Sequence, residues 1–265
     1  MPRIVISLTT TPSRLPTLQE MLGPLLLQTA PCDAILVQIP DRLRRTGESY
    51  AIPEWLAAMP GVEIHRCTDF GPATKLLGAL ECETDPDSLI ITVDDDVRYP
   101  PSMVESYIRN ADSALALCTA GFDIVDRAAF VRDVRGALQA VRGHQVPAHV
   151  AEGYGSVAYR RDFFAADIFD ILRLPEFVVY SDDLYISNYL GLRGIGRMTI
   201  QTEGFGGPGF WMGRVLPHSE HPDALHHNQC IGTNRARYSQ TVGYFIENGM
   251  YGLEMAAATT AQSKD

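Results

Sequence analysis

Apolar positions in the first hundred residues alternate between short β-branched runs and helically spaced sets. Ile4–Thr9 predicts a strand that opens into the hydroxyl-rich turn Thr9, Thr10, Thr11, Pro12, Ser13, Arg14. Leu18, Met21, Leu22, Leu25 and Leu26 then recur at the spacing of one helical face, predicting a helix over 15–28. Residues 34–39 predict a second strand ending at Pro40 and Asp41, with a basic loop through Arg42, Arg44 and Arg45. A short helix over 52–59 and a third strand over 62–66 follow. Pro72 suits a first helical position, and Ala73, Leu76, Leu77 and Leu80 give the next helix its apolar face. Strands alternating with helices predict an α/β domain, a mostly parallel central sheet flanked by helices.

Past residue 100, Met103, Val104, Tyr107 and Ile108 space a helix, and residues 114–118 predict a strand. The more polar stretch 127–143 reads as a helical or irregular excursion. Gly153 and Gly155 stand before a short strand, where a backbone turns tightly or approaches a ligand. Nothing marks a linker or a repeat. The expected organisation is one domain over 1–255, with residues 1–100 as one half, 101–255 as the other, and a small, polar tail at 256–265 that frays.

Packing does not explain residues 89–100. The apolar strand Leu89 to Val93 runs into Asp94, Asp95 and Asp96, then reaches the breaker Pro100, Pro101. Three adjacent carboxylates repel one another, so joint ionisation is tolerable in water or around a cation. If the extended conformation persists, Asp94 and Asp96 project to one side and Asp95 to the other. Two oxygen donors would then meet a hard ion such as Mn²⁺ or Mg²⁺ at the strand end, where open α/β sheets bind ligands. The bland alternative is a solvated acidic turn.

Composition narrows the chemistry. The 265 residues carry a net charge of −10 with a pI near 5.1, which argues against a general nucleic-acid binder. No apolar run approaches a membrane span; the best candidate, residues 21–27, contains Gly23 and Pro24. The start Met1, Pro2, Arg3, Ile4 enters a strand at once, without a basic segment and apolar leader. Five scattered cysteines without a CxxC pair suit reduced thiols. The expected place is the cytoplasm, or its membrane face.

Several other residues stand out. Lys75 falls in a first helical turn, where the dipole disfavours a cation; a bound anion would repay that, and pairing with Asp69 is the plainer account. Ser181, Asp182 and Asp183 look like an N-cap followed by first-turn acids, which is also a rigid position for a general base. Glu203 to Trp211 combines four glycines with Phe205, Phe210 and Trp211, suiting a lid over a sugar as well as a surface loop. His218, His221, His226 and His227 cluster, and one of them could be a third metal ligand. With Cys230 they match no standard zinc signature.

Taken in order, Ser7, Leu8, Thr9, Thr10; then Gly71, Pro72, Ala73, Thr74, Lys75, Leu76; then Ile91 to Asp96 with Tyr99, Pro100; then Gly153, Gly155; and finally Asp182, Asp183 resemble glycosyltransferases of the GT-A fold, Rossmann-like enzymes, closest to those related to glycosyltransferase family two. The resemblance covers roughly residues 4–234. It implies sugar transfer from a nucleoside diphosphate sugar to a hydroxyl of a glycan or glycolipid, with a Mn²⁺ or Mg²⁺ ion held by the DxD aspartates. Asp96 would ligate the metal and Asp94 would contact the ribose or share the metal. His226 or His227 would complete the site. The donor side would comprise Thr9, Asp41, Asp69, Lys75, Asp94 and Asp95. Asp183, with Asp182 as its neighbour, matches the acid that inverting members use as general base. Rival readings are a sugar-nucleotide nucleotidyltransferase, against which the first loop lacks a glycine-rich basic signature, and a non-catalytic nucleotide or sugar binder.

Overall fold

The computed structural model describes residues 2–132, 134, 137–141, 145–200, 225 and 233–254. The expected α/β architecture is present. Strands β1 (Ile4–Thr9), β2 (Ala34–Pro40), β3 (Val62–Cys67) and β4 (Leu89–Thr92) form the parallel half of an eight-stranded sheet, in the order β3-β2-β1-β4. The sheet continues through β5 (Leu115–Cys118), β8 (Val146–Pro147), β10 (Val157–Arg160) and β11 (Gly196–Thr199) in the order β4-β10-β5-β11-β8. Here β10 runs antiparallel to both neighbours and β8 antiparallel to β11, so the second half is mixed.

Strand alternation sorts the core into two layers. Ile4, Ile6 and Leu8 of β1, with Leu89, Ile91 and Val93, face α1 (Gln19–Leu26), α2 (Glu54–Ala57) and α4 (Met103–Asn110). Val5 and Ile90 face the other way, onto α3 (Thr74–Cys82), α6 (Glu176–Val179), α7 (Asp182–Leu192) and α8 (Asn234–Glu247). Ser7, Thr9, Thr92 and Asp94 share the parity of Val5 and Ile90, so the strand ends deliver polar groups toward α3 and α7.

The helix expected over 15–28 is shorter, a 3₁₀ turn at Leu15–Thr17 leading into α1, which carries Pro24 within it. The excursion at 127–143 splits into α5 (Arg127–Arg132) and β7 (Leu138–Val141). Strand β7 joins β6 (Gly121–Ile124) and β9 (Val150–Ala151) in a separate antiparallel sheet that sequence periodicity did not signal. Such four- and two-residue strands are too short to establish a period. No helix among the described residues is long and apolar enough to cross a membrane.

Between β9 and β10 the chain makes a 3₁₀ turn at Gly153–Gly155, then places Ser156 at φ 92°, a region that non-glycine residues rarely adopt. Tyr107 holds that turn from the opposite layer: its hydroxyl donates to the Ser156 carbonyl at 2.9 Å and lies 2.8 Å from the Ser156 hydroxyl. Tyr107→Phe should therefore lower unfolding stability in a urea titration by about 1–2 kcal/mol, with an unchanged denaturant slope.

Candidate active site

The carboxyl ends of β1, β2 and β4 open on a cavity of about 360 Å³, a ligand-sized space lined by Thr9, Pro40 and all three acids of the triplet. Alternation through β4 sends Asp94 to the α3 face, where its Oδ1 accepts from Lys75 Nζ at 2.7 Å. Asp95 points to the other layer and is fully engaged, accepting from Thr10 Oγ1 at 2.6 Å and Arg14 Nη1 at 2.6 Å. At Asp95 and Asp96 the chain turns, so the extended geometry that would pair Asp96 with Asp94 ends there. Asp96 instead lies 3.5 Å from Arg14. Tyr99 braces the bend, accepting from the Asp94 backbone N–H at 2.8 Å and donating to the Tyr154 carbonyl at 3.1 Å.

Lys75 sits in the first turn of α3, only 7% exposed, and its partner is not Asp69. Besides Asp94 it faces Asp182 Oδ2 at 3.6 Å. Burial alone would favour a neutral amine, but Asp94, Asp182 and Asp183 outweigh it and hold Lys75 protonated well above the usual range. Ser181 precedes α7 as expected, yet its hydroxyl donates back to Phe177 O at 2.7 Å instead of capping the helix. The first-turn acids are therefore not explained by a solvated helix start; Asp182 is buried.

Burial pushes the Asp183 carboxyl well above the usual carboxylate range, with Asp182 and Glu152 adding to the rise and Lys75 and the Gly153 N–H opposing it. Asp182 shifts upward for the same first reason, against Lys75. The two titrate as a pair, and the pair stays protonated to higher pH than isolated carboxylates. The Gly153 N–H donates to Asp183 Oδ1 at 2.9 Å. A Cβ at 153 would stand 2.6 Å from Lys75 Nζ and 3.0 Å from that oxygen, so only glycine lets the turn approach the pair.

Thr9 lines the cavity and donates to Gln38 O at 2.9 Å. Asp69 also lines it, but its carboxylate is occupied in local structure, accepting from Arg44 N at 2.5 Å and Gly71 N at 2.7 Å. Asp41 is 95% exposed, pairs with Arg66 at 3.9 Å and is not among the cavity's lining residues. His226, His227, the remaining clustered histidines and the glycine-aromatic stretch 203–211 lie outside the described residues.

Sequence reasoning did not single out Glu152, Arg14, Arg237 or Tyr238, all of which line the cavity. Arg237, on α8, is 2% exposed. Burial and then the charges of Asp183, Asp182 and Glu152 push the Tyr238 phenol well above its normal range, so it remains a neutral donor beside the acids. No motif flags these residues; Arg14 comes from the loop after β1, and the other three are brought in by α8 and the Gly153 turn from distant parts of the chain.

Asp94 and Asp96 bring hard oxygen donors to the cavity wall. Among the described residues the buried Asp182 Oδ2 has no hydrogen-bond partner. No group of three close donors forms around the triplet among those residues. Mg²⁺-like ions ask for only one or two carboxylates and leave other positions to phosphate oxygens and water, and this donor set fits that demand.

The sequence matches no family model, and no curated protein matches it either. Among solved structures it is similar to S. aureus TarS 1–349 at 14% identity and TM-score 0.44, covering 76% of this chain and 58% of that one. It is similar to the mannosyltransferase PcManGT from Pyrobaculum calidifontis, solved with GDP-Man and Mn²⁺, at 14% identity and TM-score 0.44 over 94% of this chain and 75% of that one. A third likeness, to GalNAc-T7 with UDP, GalNAc and Mn²⁺, has 12% identity and TM-score 0.48 over 95% of this chain and 59% of that one.

Burial pushes the Glu152 carboxyl up to about 7. A carboxyl raised on folding binds more protons in the native state, so its contribution to stability falls as pH rises between the unfolded value of 4.5 and about 7. Glu152→Gln should thus raise the thermal midpoint more at about pH 8 than at about pH 5. An equal gain at both would show that Glu152 is not buried as an acid.

Proposed function

We propose that this chain is a metal-dependent GT-A glycosyltransferase that moves a sugar from a nucleoside diphosphate donor to a hydroxyl of a glycan or glycolipid, with inversion. The observation that carries the reading is the meeting of two acidic groups on one buried cation: Asp94 just past β4 and the Asp182, Asp183 pair from α7, both against Lys75 within one cavity. Attack from the face opposite the leaving group needs a donor-side and an acceptor-side acid held at fixed separation, and this arrangement supplies both. Residues 1–100 then make the donor half and residues 101–255 the acceptor half.

Asp183 is the general base. It takes the acceptor hydroxyl proton as the oxygen bonds to the anomeric carbon, and the bond from that carbon to the diphosphate breaks. The Gly153 N–H fixes which Asp183 oxygen is occupied, leaving the other to meet the acceptor. Asp182 and Tyr238 flank the base. Arg14 and Lys75 bring positive charge to the donor side, and the loop bearing Leu43, Arg45 and Tyr50 forms the far wall, suited to a nucleoside. Asp94 and Asp96, with His226 or His227 as a further ligand, would hold a divalent cation, which would supply Lewis-acid neutralisation of the departing diphosphate. Free thiols at Cys32, Cys67, Cys82 and Cys118 agree with a reducing, cytoplasmic setting.

A thermal-shift and hydrolysis screen of nucleoside diphosphate sugars, each with Mn²⁺ and with chelator, should find a donor whose stabilisation requires both the ion and Asp96; loss in Asp96→Ala is the expected result. No shift with any donor, or release of pyrophosphate in place of a nucleoside diphosphate, would overturn the reading. With that donor, Asp183→Asn should lower kcat about 10²–10⁴-fold. Lys75 lowers the pKa of both acids, so Lys75→Met should move the acidic limb of the pH–rate profile upward. A product of retained configuration by NMR would exclude inversion.

A further inference from the structure

Outside the cavity, the α3-facing side of the edge strand β3 presents His65 and Cys67 two residues apart, and Glu81 of α3 stands opposite. One donor atom from each of the three lies within 4.8 Å of the others, and none of the three residues lines the cavity. Tetrahedral zinc ligands at about 2.0–2.3 Å from the ion are spaced only somewhat closer, within side-chain adjustment.

The surrounding hydrogen bonds fix the imidazole for ligation. Ser7 Oγ faces the Lys75 carbonyl at 2.6 Å and must donate to it, so toward Gln38 it can only accept. The Gln38 group 3.2 Å from Ser7 Oγ is therefore the amide nitrogen, and the Gln38 carbonyl oxygen faces His65 Nδ1 at 2.8 Å. A carbonyl oxygen requires Nδ1 to carry the proton, which leaves the Nε2 lone pair open. An imidazole whose second nitrogen is held by an amide oxygen is the usual outer support of a metal-bound histidine. The chain also spends a helical glycine on this support. A Cβ at Gly78 of α3 would lie 2.7 Å from Gln38 Oε1, and glycine is a poor residue for a helix interior.

We propose that His65 Nε2, the Cys67 thiolate and the Glu81 carboxylate form a second, thiolate-containing site for a borderline divalent ion of the Zn²⁺ class, separate from the carboxylate cavity. Sulfur and imidazole select such ions over Mg²⁺ or Ca²⁺, and the remaining position is left to water. Binding replaces the Cys67 S–H bond with a sulfur–metal bond and releases one proton to solvent. Glu81 is exposed, giving the ion a route from solution. The site also lies at one end of the hydrogen-bonded chain His65–Gln38–Ser7–Lys75 O, so an ion there stiffens the support beneath Lys75.

Co²⁺ titration of the full-length protein under reducing conditions distinguishes the two sites, because only a thiolate ligand gives the near-ultraviolet sulfur-to-cobalt charge-transfer band. Wild type should show the band saturating at one equivalent, reversed by Zn²⁺. Asp96→Ala and Cys32→Ser should keep it and Cys67→Ser should abolish it. Glu81→Ala, at an exposed position, should weaken Co²⁺ affinity about 10-fold or more while leaving the far-ultraviolet circular dichroism unchanged. Absence of the band in wild type, its persistence in Cys67→Ser, or unchanged affinity in Glu81→Ala would overturn the proposal. None of these outcomes depends on glycosyl transfer.

Discussion

The ammonium of Lys75, enclosed by Asp94, Asp182 and Asp183, is the charge on which the rest of the site depends. A buried ion costs several kcal/mol to desolvate, and a buried pair broken on one side costs about 3–5 kcal/mol because the remaining charge is stranded. Three carboxylates from the loop after β4 and from α7 could not be brought into one wall of a cavity without it. Conversely, Lys75 could not occupy the first turn of α3, at the positive end of a helix dipole, without them. Each misfit is the compensation for the other. That explains why a local account of any one of these residues fails while the group is self-consistent.

The scaffold around this cluster is arranged to hold it at close range. Gly153 lets a backbone turn come within hydrogen-bond distance of Asp183, where any side chain would strike Lys75. Tyr99 ties the bend after Asp94 to the neighbouring Tyr154 carbonyl, so the two loops that flank Lys75 share one hydroxyl. Behind them, Tyr107 secures the left-handed Ser156 from the opposite helical layer. These supports are hydrogen bonds between buried groups, whose loss leaves unsatisfied donors or acceptors and so costs more than their formation gains.

Much of this was legible in the chain because it follows from short-range pattern. Apolar alternation in Ile4–Thr9 and in the strand before Asp94 fixed which residues face α3, and that parity alone carries Asp94 to Lys75. The two acids after Ser181 were visible as a helix start, though the Ser181 hydroxyl turned out to bond backward to Phe177. What was not legible depends on contacts between distant segments. Asp96 departs from its expected side because the backbone turns at Asp95, a position pinned by Thr10 and Arg14 more than eighty residues earlier. Glu152, Arg237 and Tyr238 carry no motif, and the small sheet of β6, β7 and β9 consists of strands too short to show a period.

The division of the triplet also bears on which carboxylates remain available to a ligand. Asp95, at 7% side-chain exposure, has both oxygens committed to Thr10 and Arg14, so its role is to seat Arg14 at the cavity wall. Asp94 at 28% and Asp96 at 20% retain more open faces, and the cations that approach them here are Lys75 and Arg14. Both side chains are nearly as buried as Asp95, at 8% and 11%, so neither can withdraw far when a substrate enters. If the proposed donor binds here, its diphosphate would meet two fixed positive charges already in place. The carboxylates that those charges neutralise are left facing the same space, where a divalent ion and its phosphate would complete the charge balance with little rearrangement of the protein.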